Sequence, residues 1–296
     1  MAAASRSKTL EPMTSDNPTW LAPAKLNLFL HITGRRPDGY HSLQTLFQFV
    51  DLADELSFSL RRDATVLLAH PPTEWQTDQD LAVRAARLLQ PFCAQPQGVE
   101  IKLTKNIPAG AGLGGGSSDA ATTLIALNQL WKLNLTRDRL ADLGLQLGAD
   151  VPVFVRGQSA WAEGVGDQLT PLELPQRWYL IVVPDCQVPT AEIFAAEELT
   201  RNSPAITIRA YLTGQAGRAV ETRNDCLAAV MARFVPVRTV YEWLQKYADV
   251  RLSGTGAALF CEFEDAADAS QLQSRLPENW HSYVVSSVLH PHRQIE

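Results

Sequence analysis

The sequence predicts an α+β fold. Apolar and polar residues alternate with period two at 24–32, the signature of a strand. Apolar residues recur at helical spacing over 81–89 and again from Ala120 to Trp131. These stretches intermix without the regular βαβα rhythm of a doubly wound parallel sheet. The 296 residues suffice for one large domain or two of ordinary size. A division near residue 170 is expected, giving units over 20–170 and 171–296 behind a disordered tail at 1–19.

Taken in order, ordered structure is expected from Pro23, because residues 1–19 are small, polar and aperiodic. In the strand at 24–32, Leu26, Leu28, Leu30 and Ile32 share one face, and Lys25, Asn27, Phe29 and His31 share the other. Arg35-Arg36-Pro37-Asp38-Gly39 is turn chemistry. Separate strands follow at 43–50 and 55–60. Residues 62–80, rich in proline and threonine, read as irregular. A helix is predicted over 81–89, a strand through Val99, Ile101 and Leu103, and a second helical stretch at about 137–147 ending at Gly148. Short strands are predicted at 151–155 and 159–163, and a buried strand over 178–183. Helical pieces, a small-residue loop at 253–256 and a strand at 257–263 complete the chain.

The bulk composition narrows the functional classes. Net charge is -6 with no basic stripe, which argues against nucleic acid as a partner. No apolar stretch approaches the ~18 residues of a membrane span. Cys93, Cys186, Cys226 and Cys261 lie far apart without C-x-x-C spacing, so free thiols in a reducing cytoplasm are expected. His290 and His292 form an H-x-H with no further ligand signalled nearby, and metal ligands stay unassigned. The expected assembly is a monomer or weak homodimer.

The chemistry concentrates in one loop. Five of the 17 glycines fall within 110–116, between a strand and a helix. Backbone N–H groups bare of side chains, next to the positive end of a helix dipole, form an anion site, and phosphate is the usual anion. Gly110-x-Gly112-x-x-Gly115 fits the dinucleotide pattern literally, but about ten residues separate strand from helix, and Asp138, near the required offset of ~20, follows no strand. The lysine of a P-loop is missing, and no V-A-I-K strand follows as in protein kinases.

Pro108, Gly112, Leu113, Gly114 and Ser118 fit the form Pro-x-x-x-Gly-Leu-Gly-x-x-x-Ser, which resembles the second motif of the GHMP kinases. Pro23-Ala24-Lys25-Leu26-Asn27-Leu28 resembles their first motif, and Leu252-Ser253-Gly254-Thr255-Gly256-Ala257 their third. Within the superfamily, Arg36-Pro37-Asp38-Gly39-Tyr40-His41, Gly148-Ala149-Asp150-Val151-Pro152 and Ala162-Glu163-Gly164-Val165-Gly166 are similar to the branch whose acceptor is a cytidine-diphosphate-linked methylerythritol. The matches keep their order from about residue 22 to 263. Residues 62–98 and 264–296 are weakly patterned.

The resemblance implies a ribosomal protein S5 domain 2-like N-terminal domain, a ferredoxin-like C-terminal domain and a cleft between them. It implies transfer of the ATP γ-phosphoryl group to the acceptor's 2-hydroxyl, with Mg²⁺. The phosphate cradle would be Pro108, Ala109, Gly110, Ala111, Gly112, Leu113, Gly114, Gly115, Gly116, Ser117 and Ser118. Ser118 would contact Mg²⁺ or phosphate, or cap the helix. Lys105 would reach the nucleotide or stand solvated. Asp150, in a bend between a helix and a strand, would accept the hydroxyl proton, with Lys25 orienting it and offsetting charge. Outside the motif context each would read as a surface salt bridge.

Tyr40 and His41 match the base-binding pair, and Phe194, in the stretch with Thr190, the aromatic on the base's other side. Asn27 would bond substrate hydroxyls or phosphate. Gly254, Thr255 and Gly256 would approach a ligand closely or form a tight turn. The competing readings are a kinase with another alcohol acceptor, such as homoserine or mevalonate, and a nucleotide-binding regulator without catalysis.

Overall fold

A computed structural model of the chain describes residues 18–71, 77–214, 222–289 and 294–295. Nearly all of the expected tail, and His290 and His292, lie outside these residues. Elements are numbered in chain order. β1 (Thr19–Arg35) runs antiparallel to β2 (His41–Arg61). The turn between them closes through Arg36 N–H donating to Tyr40 O (2.7 Å) and the Asp38 carboxylate accepting from Tyr40 N–H (3.1 Å). β1 opens four residues before Pro23, and its early residues Trp20 and Ala22 enter the core. The two strands expected at 43–50 and 55–60 are one strand, because β1 residues 21–23 pair across the gap with 53–55.

β1 also departs from simple alternation. Asn27 pairs with Phe47 and Leu30 with Thr45, so three steps on β1 oppose two on β2, a bulge. Past it the faces exchange: Phe29 packs with Trp161 and Tyr211 (ring centroids 5.1 and 5.7 Å), and Leu30 joins Lys25 and Asn27 on the side of the cleft.

β3 (Val66–Ala69) pairs parallel with β4 (Gly98–Thr104), and α1 (Leu81–Leu89) connects them. The stretch read as irregular thus holds a strand. The Asp80 carboxylate caps α1 by accepting from Ala82 N–H (2.8 Å) and Val83 N–H (3.3 Å). Next come α2 (Gly115–Leu130), α3 (Arg137–Leu145), α4 (Val151–Arg156), β5 (Ala160–Glu163) and β6 (Gln168–Pro171). The first sheet has the order β11-β1-β2-β4-β3, with β5 against β2, β6 beyond it, and β11 (Gln294–Ile295) returning from the far end of the chain.

The expected strand at 151–155 is the helix α4. Its five residues from Val151 to Val155 are all buried, and an apolar run buried on every side carries no period to distinguish helix from strand. Proline in its first turn and Gly157 (φ 66°) after its last residue are the helix signals there.

The second sheet, β10-β7-β9-β8, is antiparallel throughout: β7 (Trp178–Val183), β8 (Arg251–Leu252), β9 (Leu259–Phe263) and β10 (His281–Ser286). It packs with α5 (Thr190–Ala195), α6 (Ile208–Gly214), α7 (Leu227–Arg233), α8 (Val235–Leu244) and α9 (Ala266–Gln273). β1 also bonds to this second half: Leu30 N–H donates to Arg223 O (3.0 Å), Ser203 N–H to Ile32 O (3.0 Å), and Ile32 N–H to the Asp225 carboxylate (2.7 Å). The observed class is α+β. Among the described residues no helix is long and apolar enough to cross a membrane, and all four cysteines are free thiols.

Candidate active site

The cleft between the two sheets holds a cavity of 680 Å³. At one end stands the glycine loop. α2 begins at Gly115, inside the glycine run rather than after it, with Gly114 (φ 76°) as its N-cap and no side-chain cap. Its first-turn amides therefore have neither an intrahelical nor a capping partner and stand open to an anion. Gly112, Gly114 and Ser117 line the cavity.

Protein neighbours themselves demand two of these glycines. A Cβ on Gly112 (φ 76°) would lie 2.2 Å from Ser253 O, and one on Gly114 would lie 2.8 Å from the Phe154 ring. The loop is bare partly because the 253–256 turn and α4 press against it.

Ser118 does not cap the helix. It lies one turn in, fully buried, and its Oγ has no hydrogen-bond partner. Buried hydroxyls ordinarily have a partner, so this orphaned oxygen beside the loop is unusual. Among the described residues no group of three His, Cys, Asp or Glu side chains is placed to hold a metal.

Lys25 is 3% exposed, and its ammonium spends its donors on Asn27 Oδ1 (2.5 Å) and Gly112 O (2.9 Å), with Asp150 Oδ2 at 3.5 Å. Asn27 is fixed in turn by donating to Thr45 Oγ1 (2.9 Å). Asp150 occupies the N-cap position of α4, between two helices rather than between a helix and a strand. Aspartate at that position ordinarily caps; here the carboxylate makes no cap bond and faces Lys25, with about a third of its side chain exposed. A buried cation and a half-exposed carboxylate thus meet beside the open helix N-terminus.

Lys105 is not a solvated lysine: its ammonium lies beside Gly115 of the glycine loop. Its amine binds the carboxylates of Asp54 and Asp119 (2.7 Å to the latter). Asp54 also accepts from Asn106 N–H (2.6 Å) and Ile107 N–H (2.8 Å). This buried cluster ties β2 and the end of β4 to the second turn of α2. Burial pushes the Asp119 carboxyl up, and Asp54 adds to that against the pull of Lys105. Burial opposes the charge on Lys105, but the two carboxylates outweigh it and raise its pKa.

At the other end are Tyr40, His41, Thr190 and Phe194. His41 and Phe194 stack directly, with ring centroids 5.2 Å apart at 22°. A base between two rings needs about 7 Å, twice a van der Waals spacing, so nothing inserts between this pair as it stands. Tyr40, 67% exposed, is the remaining aromatic ring that borders the cavity at this end. Burial, with Arg201 and Arg35 nearby, holds the pKa of His41 below the ordinary histidine value. Thr190 and Thr255 bond hydroxyl to hydroxyl (2.9 Å), and Gly254 and Thr255 line the cavity.

Lys105, residues 108–111, Leu113, Gly115, Gly116, Ser118 and Gly256 do not line the cavity, although other residues of the two loops do. Sequence reasoning missed Leu30, Thr45 and Phe47 on its floor, Ala149, Val165 and Gly166 on its wall, and Arg201 behind His41. Three of these had a signal: Ala149, Val165 and Gly166 stand inside motifs already singled out.

Comparison with known proteins now bears on this geometry. The GHMP kinases N terminal domain family matches residues 80–158, and the GHMP kinases C terminal family matches 219–282. A 4-diphosphocytidyl-2-C-methyl-D-erythritol kinase of Pseudomonas aeruginosa (strain PAO1) is 52% identical over 277 residues, 93% of this chain and 96% of that protein. One from Alkalilimnicola ehrlichii is 53% identical over 273 residues, covering 91% and 90%. A crystal structure of a 4-(cytidine 5'-diphospho)-2C-methyl-D-erythritol kinase superposes with a TM-score of 0.79 at 34% identity, covering 91% of this chain and 98% of that one. Mevalonate kinase of Methanococcus jannaschii, at 12% identity and a TM-score of 0.64, shares the fold.

Proposed function

The chain belongs to the 4-diphosphocytidyl-2-C-methyl-D-erythritol kinases of the GHMP family, and from that membership we propose how its cleft divides the work. It is an ATP-dependent phosphotransferase of isoprenoid precursor synthesis, and 4-diphosphocytidyl-2-C-methyl-D-erythritol is its acceptor. In phosphoryl transfer, positioning and charge stabilisation supply most of the rate.

In this reading the ATP phosphates lie along 108–118, on the open amides that begin α2. Asp150 accepts the proton of the acceptor's 2-hydroxyl while that oxygen bonds to the γ-phosphorus. The bond from the γ-phosphorus to the β–γ bridging oxygen breaks, and ADP leaves. Lys25 orients Asp150 and offsets charge growing on the transferring group. Tyr40, His41 and Phe194 receive the cytosine, and Asn27 and the 253–256 turn border the diphosphate between the two ends. The ATP-binding unit spans 20–170 and the second unit 171–296.

Ser118 Oγ, the buried hydroxyl with no protein partner, is the group that would hold Mg²⁺ here together with the ATP phosphates. Bound there, the ion would neutralise charge on the phosphates. What supports the whole reading is a single cavity that Lys25, Asp150, the open helix end and the aromatic pair all border.

The test is ADP release by the full chain with the cytidyl acceptor, homoserine or mevalonate, with and without Mg²⁺. Turnover is expected with the cytidyl compound alone and is lost on chelation. Turnover on either of the other alcohols, with none on the cytidyl compound, would overturn it.

A further inference from the structure

Arg201 lies in the irregular segment after α5, and no sequence motif marks it. Its guanidinium donates to four acceptors. Nη2 reaches Phe194 O (3.1 Å) and Ala196 O (2.6 Å), Nη1 reaches Leu199 O (3.2 Å), and Nε reaches His41 Nε2 (3.3 Å). Three of these are backbone carbonyls: that of Phe194 is among those a helix end leaves without an intrahelical partner, and those of Ala196 and Leu199 lie in the segment beyond α5. The fourth belongs to the first residue of β2, in the other sheet. One side chain therefore grips both members of the 5.2 Å His41–Phe194 stack.

The bond to His41 sets chemistry as well as position. A guanidinium has five N–H donors and no acceptor, so the ring nitrogen facing it must present a lone pair. The proton of the neutral imidazole then sits on Nδ1. A doubly protonated ring would turn N–H against N–H, and the other charged group beside His41, Arg35, is also a cation. His41, which lines the cleft, carries one N–H donor in this state, and the edge of cytosine carries two acceptors, O2 and N3.

We propose that Arg201 is a positioning residue for pyrimidine recognition. It selects the Nδ1–H tautomer of His41 and holds the Phe194 ring against it, so that the base meets a preformed pair. The proposal rests on the base-end assignment made above, and it adds a specificity determinant that never touches the reacting atoms.

Arg201→Met, Arg201→Lys, His41→Ala and the double variant Arg201→Met/His41→Ala test it in the full chain. Losing a hydrogen bond from a charged donor corresponds to about tenfold to hundredfold in affinity. Arg201→Met is expected to raise KM for the cytidyl acceptor by that factor, with kcat within about threefold and KM for ATP unchanged. Arg201→Lys, a point charge in place of a fork, recovers part of the loss. In the double variant the arginine's effect shrinks, because its route to the base is already gone.

Imidazole ¹⁵N spectra of the unaltered protein are expected to show the His41 proton on Nδ1, a readout that needs no variant to fold. A proton on Nε2 overturns the proposal outright. So do equal rises in both Michaelis constants, or strict additivity in the double variant. If His41→Ala leaves the cytidyl KM untouched, the base-end assignment fails and this inference fails with it. If His41→Ala raises that KM and Arg201→Met does not, only this inference fails.

Discussion

The two ends of the cleft are built on opposite plans. At the glycine end, position comes from backbone pressed against backbone: Gly112 has no room for a Cβ beside Ser253, and Lys25 N–H donates to Leu113 O at 2.9 Å. At the aromatic end, position comes from side chains on a turn and a six-residue helix, joined by one guanidinium. The first plan leaves no room for a side chain at Gly112 or Gly114, and its backbone contacts carry no titratable group. The second can be altered one contact at a time and responds to pH. Phosphate, identical in every nucleotide, suits the first; a base that must be told from other bases suits the second.

The largest expected effect is at the hinge of the two plans. Asp150→Asn should fold normally, since the carboxylate makes no cap bond, and lose about 10²–10⁴ in kcat with ATP binding retained. Steady-state kinetics and a nucleotide-binding titration check this, and near-normal turnover would reduce Asp150 to an orienting group.

Lys105→Met should leave two buried carboxylates without their cation and destabilise the fold by about 3–5 kcal/mol in denaturant unfolding. Because the pKa of Asp119 is already raised in the folded state, the folded form binds the proton more readily than the unfolded chain. The deficit should therefore grow as pH rises and shrink on acidification. Loss of kcat without loss of stability would return Lys105 to the nucleotide site.

A glycine pair sharpens the contrast within the loop. Gly112→Ala should cost on the order of 1–3 kcal/mol or more of stability, from its positive φ and the 2.2 Å clash. Gly116 sits in a helical turn, where a Cβ meets nothing closer than 3.5 Å, so Gly116→Ala should leave stability unchanged or raise it by up to about 1 kcal/mol. KM for ATP should nevertheless rise, and an unchanged value would mean that no phosphate lies over Gly116.

The smallest effect belongs to the aromatic end. The folded-state pKa of His41 is lowered, so the ring stays neutral until the pH falls below the ordinary histidine range. Below that, KM for the cytidyl acceptor should rise a few-fold while KM for ATP stays level. Stability should fall with it, since the unfolded chain takes up the proton first. A level acceptor KM across pH 5–8 would break the contrast.

How far these features could be read from the chain depends on the range of the interaction. Leu81–Leu89 and Trp178–Val183 were legible to the residue, because their signals are local. The site motifs at 23–28, 108–119, 148–152 and 252–257 were legible as a set. The bulge at Asn27–Leu30 was not, since strict alternation looks the same with or without an inserted residue until a partner strand is known. α4 was hidden because all five of its apolar residues are buried. The true neighbours of Gly112 and Lys105 come from Ser253 and Asp54, far away in sequence. Arg201 had no local signal at all: a guanidinium that binds carbonyls needs no companion residues in its own segment.

β1 has one more consequence. It pairs with β2 on one edge, while Asn27, Leu30 and Ile32 bond to residues 203–253 of the other half. A strand bonded on both sides ties the two halves together along its length, so clamshell closure would have to break these bonds. The expected outcome is a scattering radius that stays constant between the free protein and the protein with both substrates bound.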